Sequence, residues 1–119
     1  MKKIVEVNTL YDFYGFLLSE KQQSIVEMYY LEDLTLSEIG ENLNISRQAV
    51  HDTLKRSEKS LYQYEEKLGL VRKFEANKTY GEEMLLHIDR LEEKGVDHEE
   101  VKALREIARK LIDIDQEVK

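Results

Sequence analysis

Six side chains in one short run could do chemistry together: Arg47, Gln48, His51, Lys55, Arg56 and Lys59. The chemistry they suit is recognition of nucleic acid, not the making or breaking of bonds. An arginine fork pairs with guanine, and a glutamine amide with adenine, in the major groove. Lysines further along a helix meet phosphates, which fix position but carry no sequence information. Between residues 46 and 60, four basic residues less two acidic ones leave a local charge of +2, against −7 for the whole 119-residue chain. Two residues of the run work against this chemistry. Asp52 repels phosphate, and Thr53 stands where an aliphatic side chain would pack better.

Such side chains read DNA only when a helix carries them and a second helix braces it. The stretch LSEIGENLNISRQAVHDTLKR, residues 36–56, has the spacing for both. Thr35 followed by Glu38 is a capping box that opens a short helix with Leu36, Ile39 and Leu43 inward. Gly40 lets two crossing helices approach closely. Asn44 stands where the chain turns, and Asn tolerates the left-handed conformation better than most residues. Ser46 caps the next helix, which runs to Gly69 with Val50, Leu54, Leu61 and Tyr64 or Leu68 inward. Its first turns carry Arg47, Gln48 and His51, as the second helix of a helix-turn-helix must. The other reading of this pattern is a three-helix packing unit used for protein contacts.

The rest of the chain predicts more helix. There is no proline, and Glu, Lys, Leu and Gln are abundant, so an all-α fold is expected. Asn8 or Thr9 is placed to cap a first helix over LYDFYGFLL. Ser19 with Gln22 is a second capping box, opening EKQQSIVEMYYLE. After Gly69 the pattern predicts a helical hairpin. One arm carries Val71, Phe74, Met84, Leu85, Ile88 and Leu91, with Gly81 weakening or kinking it. The other starts at Asp97 and carries Val101, Leu104, Ala108, Leu111 and Val118. The division expected is a helix-turn-helix domain over 1–70 and a helical tail over 71–119. That tail is short of core, so it docks, either by folding back on the first domain or by building a dimer interface; a homodimer is expected, because it doubles the few base contacts of one helix-turn-helix.

Other classes of function find little support. There is no cysteine, so no disulfide and no thiolate chemistry. His51, His87 and His98 do not share helical spacing, and no metal or other cofactor is expected. The carboxylate pairs, such as Glu65-Glu66 and Glu92-Glu93, read as solvated helix faces. The tyrosines at 11, 14, 29 and 30 read as core-edge residues rather than a base-stacking platform. No catalytic constellation is present, and the protein is expected not to be an enzyme. No segment reaches the ~18 consecutive apolar residues of a membrane span, and the N-terminus lacks a signal-peptide apolar run. A cytoplasmic protein with no membrane partner is expected.

The stretch LSEKQQSIVEMYYLEDLTLSEIGENLNISRQAVHDTLKRSEKSL resembles the promoter-binding C-terminal domain of bacterial sigma factors. FYGFLL, YYLEDLTLSEI, NISRQAVHDTLKRSEK and YEEKL, together with the helical tail, resemble the YlxM family over almost the whole chain. The resemblance implies a sigma-factor-like helix-turn-helix bundle followed by a C-terminal helical hairpin. It implies a regulatory DNA-binding protein linked to the signal recognition particle pathway. The alternative it carries is an accessory protein that binds that particle's protein or RNA. By the sigma-like pattern, base contacts fall to Arg47, Gln48 and His51, and backbone contact to Lys55. This chain departs from that pattern where Ala49, His51 and Asp52 replace longer or more basic residues.

Overall fold

The computed structural model describes the backbone of residues 2–117 and the side chains of residues 3–112. Among the described residues there are six α-helices. They are α1 (Lys2–Tyr14), α2 (Glu20–Val26), α3 (Leu36–Leu43), α4 (Arg47–Leu68), α5 (Leu70–Glu93) and α6 (His98–Glu117). A 3₁₀ turn, Gly15–Leu17, follows α1, and a π-helical turn, Glu27–Leu31, extends α2. The all-α, helix-turn-helix architecture expected from the sequence is the one observed. The chain forms two compact units, Met1–Val71 and Arg72–Lys119.

The first helix differs from expectation. It starts at Lys2, so Asn8 and Thr9 lie inside it and cap nothing, and it ends at Tyr14 rather than near Leu18. The reason is its buried face. Val7, Leu10 and Tyr14 recur at steps of three and four and are all buried, so the helix must begin early enough to carry Val7. Both capping boxes form as expected. Ser19 Oγ accepts from the Gln22 N–H at 3.1 Å, and Thr35 Oγ1 from the Glu38 N–H at 3.1 Å. Each box is closed by the reciprocal bond to the cap residue's own N–H.

Ten buried residues form the core of the first unit: Val7, Leu10, Tyr14, Leu18, Ile25, Val26, Ile39, Val50, Leu54 and Leu61. Three of them come from α4, so the helix that carries the candidate site is also the central strut. Truncating a fully buried leucine such as Leu61 to alanine removes about 2–5 kcal/mol in comparable cores. Of the two alternatives at the end of α4, Tyr64 packs against the core while Leu68 is exposed. Thr53 is buried despite its hydroxyl. Its carbonyl accepts the Ser57 hydroxyl at 2.7 Å, and the Arg56 guanidinium reaches its Oγ1 at 3.4 Å, so the small polar row is satisfied rather than wasted.

Tyr14 locks the far end of α4. Its ring is fully buried, its hydroxyl donates to Glu65 Oε1 at 2.6 Å, and it accepts from the Leu70 N–H at 3.0 Å. The Val71 N–H reaches the same carboxylate oxygen at 3.0 Å. Gly69 makes this possible by taking the left-handed conformation, φ 62°, that ends α4.

The second unit has a small core of Ile88, Val101 and Ala108, with Leu85 packed against it. Gly81 does not break α5, which is continuous through it. A Cβ there would stand 2.6 Å from Ile112 Cγ1, so the glycine serves close packing of α5 against α6. Gly95, φ 77°, makes the turn, and Asp97 Oδ1 accepts the Glu99 N–H at 3.0 Å to start α6. Of the expected apolar seam, Val101 and Ala108 are buried, but Leu104 and Leu111 stay exposed, Leu104 beside Tyr80, Met84 and Leu91 of α5. Val118 lies outside the described residues.

Candidate nucleic-acid interface

The turn between α3 and α4 is built by three residues. Asn44 takes φ 58°, ψ 45°, and its N–H bonds back to Glu41 and Gly40 carbonyls. The Ile45 N–H donates to the Gly40 carbonyl at 2.9 Å. A Cβ on Gly40 would stand 2.7 Å from the Ile45 carbonyl oxygen, so no side chain fits there. Ser46 then caps α4, its Oγ accepting the Ala49 N–H at 3.0 Å. The result is two helices joined by a tight turn, with the first turn of the second helix exposed at Arg47 and Gln48.

The six expected site residues divide between two stripes of α4. Arg47, His51 and Lys55 recur every fourth residue. They line one side of a cavity of about 770 Å³ whose other walls include Lys3, Tyr29, Tyr30 and Leu36. Gln48 and Lys59 are exposed beside Asp52 on the outer front of the helix. Arg56, exposed as well, is turned toward Thr53 and does not line the cavity. The expected set is therefore all on one helix but not one continuous patch.

Two of these residues lie against Asp52. The Gln48 amide donates to Asp52 Oδ1 at 2.9 Å, which engages the group that would read adenine. His51 Nδ1 is shielded from solvent, lies 3.5 Å from the same Asp52 oxygen, and makes no hydrogen bond. Asp52 thus lies against two of the three candidate base readers, Gln48 through the four-residue spacing that puts side chains on one helix face and His51 as its chain neighbour.

Sequence reasoning missed Lys3, Tyr30 and Glu58. Glu58 is buried on α4 at the foot of the cavity. It accepts the Tyr30 hydroxyl, and its Oε1 lies 3.2 Å from Lys3 Nζ and 3.7 Å from Lys55 Nζ. Its carboxylate raises the Lys3 ammonium above its ordinary value, first by the hydrogen bond and then by charge. Burial, and then Glu58, push the Tyr30 hydroxyl well up. One signal was available for Glu58. It falls between Leu54 and Leu61 at core spacing, where a carboxylate needs partners. Nothing in the sequence pointed to Lys3, which reaches the cavity from fifty-five residues away.

A capped positioning helix, a glycine-dependent tight turn and a second helix with its first turn exposed define a helix-turn-helix protein. The family profile described as "Putative helix-turn-helix protein, YlxM / p13 like" matches residues 1–104, and the chain belongs to this family, UPF0122. Its relatives include the UPF0122 protein YlxM of Bacillus subtilis (strain 168), 44% identical over 93% of this chain and 97% of the relative. A UPF0122 protein of Thermoanaerobacter sp. (strain X514) is 48% identical over 89% of this chain and 91% of its own length. One from Desulforamulus reducens is 61% identical over a shorter stretch, 62% of this chain and 63% of the relative. Among the described residues no helix is long and apolar enough to cross a membrane.

Proposed function

We propose that the protein is a non-enzymatic regulator that binds duplex DNA in the cytoplasm through the first turns of α4. Arg47, Gln48 and His51 face base edges, and Lys55, Arg56 and Lys59 meet phosphates. The observation that carries this reading is the Ser46-capped start of α4, which leaves Arg47 and Gln48 exposed beyond the tight turn. The test is binding to mixed-sequence duplex DNA across a salt series. Phosphate contacts make affinity fall steeply with salt. An Arg47→Ala/Lys55→Ala double variant is expected to lose most of that affinity. No binding at low salt, or equal binding by the double variant, ends the reading.

In this reading residues 1–70 are the DNA-binding domain and residues 71–119 pair two copies. Leu104, Ile107 and Leu111 of α6 are each 40% or more exposed and follow one another at helical spacing, while the core of their unit is small. Sedimentation of an Ile107→Glu variant checks this: the wild type sediments as a dimer and the variant as a monomer.

A second reading is a sigma-like scaffold that binds signal recognition particle protein or RNA instead of DNA. The observation that favours it is Asp52, an acidic group on the front of α4 that also occupies the Gln48 amide. A pull-down that recovers neither particle component would count against it.

A further inference from the structure

The cavity beside α4 contains a charge arrangement that the six expected residues do not explain. Glu58 is buried, and a buried carboxylate must be paired. Its Oε2 takes the Tyr30 hydroxyl, and its Oε1 is shared by Lys3 and Lys55. Neither lysine is consumed by this. Their side chains remain 53% and 55% exposed, and each ammonium has three donors. Two cations beside one carboxylate leave a surplus positive charge at the cavity mouth. Arg47 lines the same cavity and adds to it, and Asp33, which also lines it, reduces it. Arg47 and Lys55 also belong to the exposed first turns of α4, so anything lying along α4 meets this surplus next.

We propose that the first turn of α1 is part of the nucleic-acid interface: Lys3 and Lys55 together hold a backbone phosphate at the cavity mouth, and Glu58 is the positioning residue that sets the two ammonium groups side by side. The proposal rests on the DNA-binding reading and adds to it a contact from a second helix. It explains why a carboxylate is buried under the interface of a helix that gains nothing from negative charge there. It also explains the reach of Lys3 across the sequence, which fastens α1 to α4 where a phosphate strand would cross. The ligand chemistry is a phosphate diester of the nucleic-acid backbone. A free phosphate ion shares that chemistry and is separated from it by the experiment.

The experiment measures affinity for a mixed-sequence DNA duplex by fluorescence anisotropy over a series of potassium chloride concentrations. The proteins are the full chain, Lys3→Ala, Lys3→Arg, and Lys21→Ala as a control on α2, where the lysine is exposed and does not line the cavity. Each phosphate contact contributes about 0.9 to the slope of log affinity on log salt. Lys3→Ala is expected to flatten the slope by about that amount, Lys3→Arg to restore it, and Lys21→Ala to leave it unchanged. Thermal melting is followed on the same samples. A lower melting temperature for Lys3→Ala with an unchanged slope overturns the proposal, because the lysine then serves the fold alone. So does a Lys3→Ala effect on binding of inorganic phosphate with none on the duplex. If the unaltered chain binds no duplex at low salt, the DNA-binding reading itself falls. An unchanged slope with normal binding overturns only the role of Lys3.

Discussion

The carbonyl oxygen of Ile45 lies 2.7 Å from the point where a Cβ on Gly40 would stand, while the Ile45 N–H donates to the Gly40 carbonyl at 2.9 Å. The two residues are thus bound in both senses, by a hydrogen bond and by exclusion of a side chain. The crossing of α3 and α4 depends on this contact. The partner in the close approach is backbone, which cannot rotate away as a side chain could.

Gly40→Ala is therefore expected to destabilise the first unit by about 1–3 kcal/mol, the usual cost of overpacking. The gain in helix propensity from alanine, about 1 kcal/mol, does not offset the clash with a carbonyl. Urea unfolding checks this, and an unchanged midpoint would mean the turn can open without loss.

Tyr14→Phe keeps the buried ring and removes the hydroxyl that links Glu65 to the Leu70 N–H. The loss expected is about 1–3 kcal/mol, because Glu65 and the Leu70 N–H are left a partner short. Hydrogen exchange at Leu70 should quicken in the variant. If it does not, the tyrosine contributes through its ring alone.

Ser46→Ala removes the cap of α4 and is expected to cost about 1 kcal/mol. Fraying the first turn also disorders Arg47 and Gln48, so duplex affinity should fall more than a surface serine would explain. Loss of stability with unchanged affinity would separate the cap from the interface.

Stability should fall on the alkaline side. Burial first, and then a neighbouring carboxylate, raise the hydroxyls of Tyr11, Tyr14, Tyr30 and Tyr62, the carboxylates being Glu27, Glu65, Glu58 and Glu6. An unfolded tyrosine ionises near about pH 10. Above that pH the unfolded chain holds fewer protons than the folded one, so stability declines as pH rises. The melting temperature is expected to drop from about pH 10 upward, and Tyr30→Phe should make the drop shallower. A flat profile through that range would contradict the burial of these hydroxyls.

In the second unit, Gly81→Ala places a Cβ 2.6 Å from Ile112 Cγ1. That atom is the first beyond the Cβ of its side chain, so it clears the new methyl only by a change of rotamer or a shift of the helix. Amide exchange around Ile88 and Val101 should accelerate, with the first unit unaffected. Unaltered exchange at both would show that α5 and α6 can part at no cost.

Much of this molecule is local, and local physics is legible in sequence. The capping boxes at Ser19–Gln22 and Thr35–Glu38, the left-handed Asn44, the Ser46 cap and the Gly69 terminator each involve groups a few residues apart. Side-chain type and spacing settle them before any tertiary contact forms. The start of α1 was decided otherwise. Asn8 and Thr9 offer a plausible cap, but burial of Val7 against α4 outweighs it. Gly81 reads as a weak point in a lone helix and becomes a contact only when α6 lies against it. The candidate site shows the same division. Residues 47–59 announce their polar front because one helix carries them all. The Lys3, Tyr30 and Glu58 cluster joins three segments far apart in the chain, and only packing brings their charges together, since a carboxylate drawn out of water recruits whatever donors the fold places beside it.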